Sequence, residues 1–320
     1  MNALRPIPLE AIQSARARLA GTAVRTPLVR YAGPDAPAEI YLKLENLQPV
    51  GSFKMRAAGN ALLGTDRAQL TEGVWTASAG NMAQAVAWYA CRLGIRCTAV
   101  VPDDAPEAKL APLRRLGAHL EPRPFAEYQS IQRTHECAGM AGLLVHPFAD
   151  EAVMAGDGTL GLEILEDLPD VDAIVVPYGG GGLSCGIASA VRAVNPRVRI
   201  VAAEAASGAP LTASLAAGKP VAVPFTPSFI SGIGAPFVFP EIWPLASRLL
   251  DGAIAIELER VAEAVRLLVG WNHVVAEGAG AVALAAALSG KAGGGKLVCI
   301  VSGGNLDPAK LVKILEGGVP

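Results

Sequence analysis

Tyr41-Leu-Lys-Leu-Glu-Asn-Leu-Gln-Pro-Val-Gly-Ser-Phe-Lys-Met-Arg-Ala-Ala-Gly-Asn60 reads as strand, turn and helix in succession. Ile40 to Leu44 is a short apolar strand, and Pro49 and Gly51 mark a turn. Ser52 then stands in an N-cap-like position, with Phe53 and Lys54 at the head of a helix. A lysine placed there meets the positive end of the helix dipole. That disfavours the ammonium and makes the amine easier to deprotonate. A deprotonated amine is a nucleophile for carbonyl carbons and forms Schiff bases. A lysine at a helix start is also an ordinary surface residue, and this stretch alone does not separate the two readings.

Outward from this stretch, residues 9–19 have helical periodicity with Arg16 and Arg18 facing out, and Arg25-Thr-Pro-Leu28 is extended. On the other side strands and helices alternate. Strands are expected at 74–77, 97–102, 119–121 and 143–146, and helices at 82–93, 107–116 and 125–141. Such alternation predicts a parallel sheet with crossover helices, and 66–147 reads as a small α/β lobe. The chain then returns to a larger lobe made of 1–65 and 148–320. There Gly156-Asp-Gly-Thr159 precedes a helix at 160–167. Further strands are expected at 173–177, 198–203, 254–257 and 296–301, and further helices at 184–194, 211–217, 258–269 and 278–288. The Pro-rich stretch 220–240 is irregular and borders the site, and the Ala/Gly bias of 286–295 indicates a surface loop. The expected fold class is α/β, with two lobes each built on a mostly parallel sheet flanked by helices.

Composition narrows the function. The 320 residues are 52% hydrophobic and 18% charged, enough for a large core and too apolar for disorder. A net charge of −2 gives no reason to expect nucleic acid or an anionic membrane as partner. No apolar run is long enough to span a bilayer, and the N-terminus lacks a signal-peptide pattern. Cys91, Cys97, Cys137, Cys185 and Cys299 form no CxxC pair and read as reduced, mostly buried thiols of a cytoplasmic protein. The four histidines have no zinc-ligand spacing, and no metal is expected.

Three more motifs carry chemistry. The strand at 173–177 runs into Tyr178-Gly-Gly-Gly-Gly-Leu183 and a helix, so bare amides and a helix N-terminus converge on one anion. It lacks the Gly-Lys-Ser/Thr of a nucleotide-triphosphate loop. A dinucleotide is a second reading, because Glu204 follows at a strand end about 20 residues on. Ser78-Ala-Gly-Asn-Met82 is another strand–turn–helix whose free amides suit a carboxylate, although Ser78 could serve only as a cap. Val298-Cys-Ile-Val-Ser-Gly-Gly-Asn305 is a buried strand ending in a polar turn.

Together these four motifs, in this order, resemble the pyridoxal-phosphate enzymes of fold type II, and in particular the threonine/serine dehydratase group with serine racemase as a near relative. The likeness runs from about Arg25 to Asp307. It implies that Lys54 carries the pyridoxal 5'-phosphate cofactor as a Schiff base and that Phe53 lies beside the cofactor ring. It further implies that Gly179, Gly180, Gly181, Gly182 and Leu183 hold the phosphate and that Asn81 touches the phenolic oxygen. By the same likeness Ser78, Asn81 and the Met82 amide bind the substrate carboxylate, Ser302 meets the pyridine nitrogen, and Glu277 lies near the ring or simply starts a helix.

Departures from the pattern are informative. Met82 stands where the group has histidine, and Ala57 where many members have glycine. Glycine follows Glu277 where proline is usual, and Ser231 replaces an aspartate. Pro210 replaces an aspartate that joins the equivalent of Glu204 in a cation site, which argues against a metal. Ala79 lies where serine racemase has the hydroxyl that works on the second face of the substrate, so elimination is favoured over racemisation. A neutral hydroxyl at Ser302 leaves the ring a weaker electron sink, which again favours elimination.

The resemblance therefore implies a lyase that removes the β-hydroxyl of L-threonine or L-serine, giving a 2-oxo acid and ammonia. Lys54 takes the α-proton, and the enzyme works as a homodimer or other homo-oligomer. Serine racemisation and 3-hydroxyaspartate dehydration are alternatives within the same chemistry. Outside it stand a nicotinamide-dependent oxidoreductase and a non-catalytic small-molecule binder. With no sequence past residue 320, feedback control by isoleucine is not expected.

Overall fold

The computed structural model describes residues 4–320. In chain order the elements are α1 (Leu9–Leu19), β1 (Leu28–Arg30), β2 (Glu39–Lys43), α2 (Lys54–Leu63), β3 (Val74–Ala77), α3 (Asn81–Leu93), β4 (Cys97–Pro102), α4 (Glu107–Arg115), β5 (His119–Arg123), α5 (Phe125–Thr134) and β6 (Leu143–Leu144). Then follow α6 (Glu151–Asp167), β7 (Ala173–Pro177), α7 (Gly182–Val194), β8 (Arg199–Ala205), α8 (Pro210–Ala217), α9 (Trp243–Leu249), β9 (Gly252–Ile256), α10 (Leu258–Asn272), α11 (Gly278–Leu288), β10 (Lys296–Ile300) and α12 (Pro308–Leu315).

Two sheets organise them. A six-stranded sheet has the order β1-β2-β10-β7-β8-β9, parallel except for β1. A four-stranded, wholly parallel sheet has the order β5-β4-β3-β6. The central strands of the large sheet are buried on both faces, which is why they read as unbroken apolar runs. Along β7, Ala173 and Val175 point into one core with Ala281 and Leu284 of α11, while Ile174 and Val176 point into the other with Ile187 of α7. The small sheet alternates likewise. Val74, Ala99 and Val101 join Met55, Ala58 and Leu62 of α2 and Val86 of α3 in one core, while Trp75, Ala77 and Val100 meet Ile131 of α5 on the other side. Thus α2, which Lys54 opens, sends its apolar face into the core under the small sheet, while its loop is tied to β10 of the large one.

Several local expectations are corrected. The helix expected at 160–167 begins at Glu151, where Asp150 caps it by accepting from Val153 N at 3.0 Å. Gly156 and Gly158 looked like helix breakers. Instead they let α6 approach its neighbours: a Cβ at Gly156 would collide with the Arg56 carbonyl, and one at Gly158 would lie 2.9 Å from the Gly186 carbonyl. The helix expected over 125–141 stops at Thr134, where His135 takes a left-handed cap. Residues 286–288 complete the buried end of α11 rather than a loop. Ser52 does not cap α2. Its hydroxyl is buried without a partner, and its backbone bridges to Gly303.

Among the described residues no helix is long and apolar enough to cross a membrane, and no cluster of histidine, cysteine or acidic residues could hold a metal ion. All five cysteines are free; Cys97, Cys185 and Cys299 are buried, Cys137 is half-buried and Cys91 is exposed.

Candidate active site

Lys54 stands at the first residue of α2, and the segment leading to it is fastened to the end of β10. Phe53 N donates to Ser302 O at 3.0 Å, and Gly304 N donates to Gly51 O at 2.9 Å. Gly51 has φ +73°, and a Cβ there would also come 3.0 Å from Asn305 Oδ1. Asn305 Nδ2 donates both to Val50 O at 2.9 Å and to Asn81 Oδ1 at 2.7 Å. Three motifs far apart in sequence (the lysine loop, the Ser78–Met82 turn and the Ser302–Asn305 turn) thus close on one another.

The Lys54 amine is half-buried, donates to the carbonyl of Pro147, and lies 4.5 Å from the centroid of the Phe53 ring. It has no carboxylate partner within ion-pair distance among the described residues. Burial lowers its pKa, and the nearby charge of Asp157 opposes that shift. The Pro147 carbonyl is held in place by His146. Its Nδ1 accepts from Ala149 N at 2.8 Å and from Phe148 N at 3.3 Å, while Nε2 faces Gln132 O at 3.1 Å. An Nδ1 that accepts twice belongs to a neutral imidazole, and burial, followed by the neighbouring His135, pushes the His146 pKa down to about 3. Nothing in the sequence pattern marked this histidine.

The glycine loop lies against the same turn. A Cβ at Gly179 would come 2.5 Å from Gly232 O, one at Gly180 would enter the Phe148 ring, and one at Gly182 would lie 2.7 Å from Phe148 O. Gly181 takes φ +88° as the N-cap of α7. The loop therefore admits no side chains. The amides of Gly182, Leu183 and Ser184 stand in the first turn of α7, where no intrahelical acceptor exists, so they are free for an anion. The Leu183 side chain turns into the core of the large sheet.

Asn81 opens α3. It donates Nδ2 to Glu277 Oε1 at 2.6 Å while accepting from Asn305, so its carboxamide orientation is fixed from both sides. Glu277 is buried at the N-cap of α11. Burial raises its pKa to about 7 against the opposing pull of Asn81 and Lys109. Ser78 accepts from Gly80 N at 3.1 Å, shaping the turn rather than capping the helix, whose N-cap is Gly80. The Met82 side chain is buried in the small-sheet core, so this residue offers the turn only its backbone. Ser302, buried at the end of β10, donates weakly to Ala279 O at 3.3 Å and keeps its lone pairs free.

Glu204 lies apart from this constellation. Both of its oxygens are engaged by the head of α8: Leu211 N at 3.0 Å, Thr212 N at 2.7 Å and Thr212 Oγ1 at 2.7 Å. It is a buried cap for α8.

Beneath α2 lies a charge network that the sequence did not reveal. Arg56 reaches both oxygens of Glu45 at 2.9 Å and both of Glu163 at 2.6 and 2.9 Å. Lys43 pairs with Glu163 at 2.8 Å, and Thr26 Oγ1 donates to Glu45 at 2.6 Å. Burial disfavours the Arg56 guanidinium, but Glu45 and Glu163 outweigh it and the net shift is upward. This network locks the helix that presents Lys54.

With this geometry in hand, comparison with known proteins is informative. A family model described as "Pyridoxal-phosphate dependent enzyme" matches residues 19–303. The L-threonine ammonia-lyase of Geobacter sulfurreducens is 41% identical over 98% of this chain and 79% of that protein. Among solved structures, maize serine racemase superposes with a TM-score of 0.87 at 32% identity, covering 98% of both chains. The processed form of threonine deaminase isoform 2 from Solanum lycopersicum gives 0.85 at 29% identity over 98% of this chain and 91% of the other.

Proposed function

The chain belongs to the pyridoxal-phosphate-dependent enzyme family, and from that premise we propose that it is an ammonia-lyase converting L-threonine or L-serine to a 2-oxo acid and ammonia. The observation that carries this reading is the closure of the Ser78–Met82 turn and the Ser302–Asn305 turn on the loop that presents one half-buried amine, Lys54.

The residues present fit the cofactor. Four glycines leave no room for a Cβ, three free amides follow them, and an amine with a lowered pKa faces the same turn. In this reading Lys54 would hold the cofactor's aldehyde carbon, Phe53 would lie beside the ring, and Asn81 would touch the phenolic oxygen. Gly179, Gly180, Gly181, Gly182 and Leu183 hold the phosphate, and Ser302 meets the ring nitrogen. When bound, the cofactor supplies an electron sink for the α-carbon of the amino acid.

The chain's own residues do the rest. The first-turn amides of α3 and the Ser78 hydroxyl orient the substrate carboxylate. Lys54 Nζ, whose pKa burial lowers, accepts the α-proton as general base. Glu277 and Asn305 fix which way the Asn81 carboxamide points. Ala79 brings no hydroxyl to the opposite face of the substrate, so no second acid is set there to return a proton; this supports elimination over racemisation. The lobes are taken as 1–65 with 148–320, and 66–147. The five free thiols support a cytoplasmic setting, and by its resemblance to the dehydratase group the enzyme is taken as a homo-oligomer.

The test is 2-oxo acid release from L-threonine, L-serine and threo-3-hydroxy-L-aspartate with pyridoxal phosphate present, in wild type and Lys54→Ala. Release by wild type alone, fastest with threonine or serine, is the expected result. D-serine formed from L-serine would move the assignment to a racemase. Preference for 3-hydroxyaspartate would move it to that dehydratase, and silence on all three would overturn it.

A further inference from the structure

Asp157 has no place in the chemistry described so far, yet its carboxyl is fully buried and neither oxygen has a hydrogen-bond partner. Unpaired buried carboxyls are rare because desolvation is not repaid. Its position explains what it faces. Gly156 on one side sets α6 against the α2 backbone at Arg56, and Gly158 on the other sets it against Gly186 of α7. A Cβ at Gly186 would lie 3.0 Å from the Asp157 Cβ. Asp157 therefore sits at the junction of three helices, one turn into α7 from the glycine loop and close under the first turn of α2.

The charged groups around that junction are few. From α2 come Lys54 and Arg56, and from the turn at 45–47 comes Glu45. Glu163, on the same helix as Asp157, is engaged with Arg56 and Lys43. Here α7 offers only the Gly186 backbone, and α1 brings apolar Ile12 against Gly158. The Arg56 guanidinium is already filled by Glu45 and Glu163. One cation without a carboxylate remains, Lys54, and one carboxyl without a cation, Asp157.

We infer that Asp157 is a positioning residue for Lys54: its carboxyl carries the counter-charge while the Lys54 amine is an ammonium and holds a proton when the amine is neutral. The inference rests on the reading of Lys54 as the base. A proton taken from the substrate's α-carbon makes Nζ positive in a half-buried place, and a carboxylate at Asp157 offsets that charge without touching the substrate. Burial drives both groups toward their neutral forms, and each one's charge opposes the other's shift.

The test uses the full chain freed of cofactor. Competitive labelling with acetic anhydride across pH, read on the Lys54 peptide by mass spectrometry with the other lysines as internal standards, reports how readily the amine sheds its proton. Asp157→Asn is expected to label Lys54 about tenfold faster than wild type on the acid side of the curve, the lower end of what a nearby opposite charge does. The other lysines should not change. Equal curves for Lys54 overturn the inference, including the case in which only stability moves.

The reciprocal measurement needs no change at Asp157. In Lys54→Met, carbon-13 NMR of the aspartate carboxyls should show the one with the raised midpoint moving to still higher pH, and an unmoved midpoint overturns the inference. Neither experiment uses a lyase substrate. Failure of 2-oxo acid release would therefore sink the proposed function while leaving this pairing standing, and the reverse also holds.

Discussion

Asn81 Nδ2 donates to Glu277 Oε1 at 2.6 Å, joining the head of α3 to the head of α11 across 196 residues. The carboxyl is buried and its pKa is raised to about 7 by that burial. A carboxyl whose folded-state pKa lies above its unfolded value binds more protons when folded. Its penalty is therefore absent below the ordinary carboxylate range and grows as pH rises toward 7.

Glu277→Gln keeps an acceptor for Asn81 and removes the titration. It should unfold in urea like wild type at pH 4, below the ordinary carboxylate value, and be the more stable protein at pH 8. Glu277→Ala leaves the Asn81 amide unpaired and should lose about 1–3 kcal/mol at both values. A Gln variant less stable than wild type at pH 8 would show that the charged carboxylate is the favoured form.

Asp157 obeys the same sign, with its pKa raised from 3.8 to about 7 by burial. The difference in unfolding free energy between Asp157→Asn and wild type should be near zero at pH 4. It should favour the variant on the order of 2 kcal/mol at pH 8. Urea titrations at the two pH values measure it, and a variant weaker at pH 8 would mean that the charge of Lys54 outweighs the cost of burying the carboxylate.

Glu163 bridges Arg56 and Lys43, both buried. Removing it with Glu163→Ala leaves two cations under the lysine helix short of their partner. The expected loss is about 3–5 kcal/mol, the range found when one member of a buried pair is deleted. A loss under about 1 kcal/mol would show that Glu45 and Asp167 suffice.

Gly179→Ala would place a methyl group 2.5 Å from the carbonyl of Gly232, which is backbone and cannot rotate away. The loop must shift, at a cost of about 1–3 kcal/mol. Affinity for pyridoxal phosphate, followed by fluorescence, should fall at least about tenfold. Gly270→Ala, in α10 where a Cβ meets nothing, should leave the affinity unchanged and add about 0.5–1 kcal/mol of stability.

What the sequence disclosed was local. The strands at 74–77, 97–102 and 173–177 and the helices at 9–19 and 278–288 fall where apolar period and flanking turns placed them. The lysine loop, the Ser78–Met82 turn and the Ser302–Asn305 turn come together, which no local pattern implied and only the family resemblance suggested. What stayed hidden depends on partners remote in sequence. Ser52 has every local mark of a cap, yet its backbone is claimed by Gly303. Gly156-Asp-Gly158 has every mark of a break, yet those glycines pass α6 along α2 and α7. Because that segment was placed ahead of the helix rather than inside it, Asp157 could not be seen as buried. Lys43 and Glu45 likewise gave no sign that their charges meet Arg56 and Glu163 beneath the site.

The order β1-β2-β10-β7-β8-β9 has a consequence for synthesis. The last of the described strands, β10, lies between one of the first strands and one from the middle of the described chain. Until residues 296–300 leave the ribosome, β2 and β7 each present an open edge facing a gap one strand wide. Such edges invite pairing with other chains. The nascent protein is therefore most in need of a chaperone's cover between the emergence of β7 and that of β10. The strand that ends this exposure also delivers Ser302 to the Lys54 loop, so the site cannot close before β10 has been made.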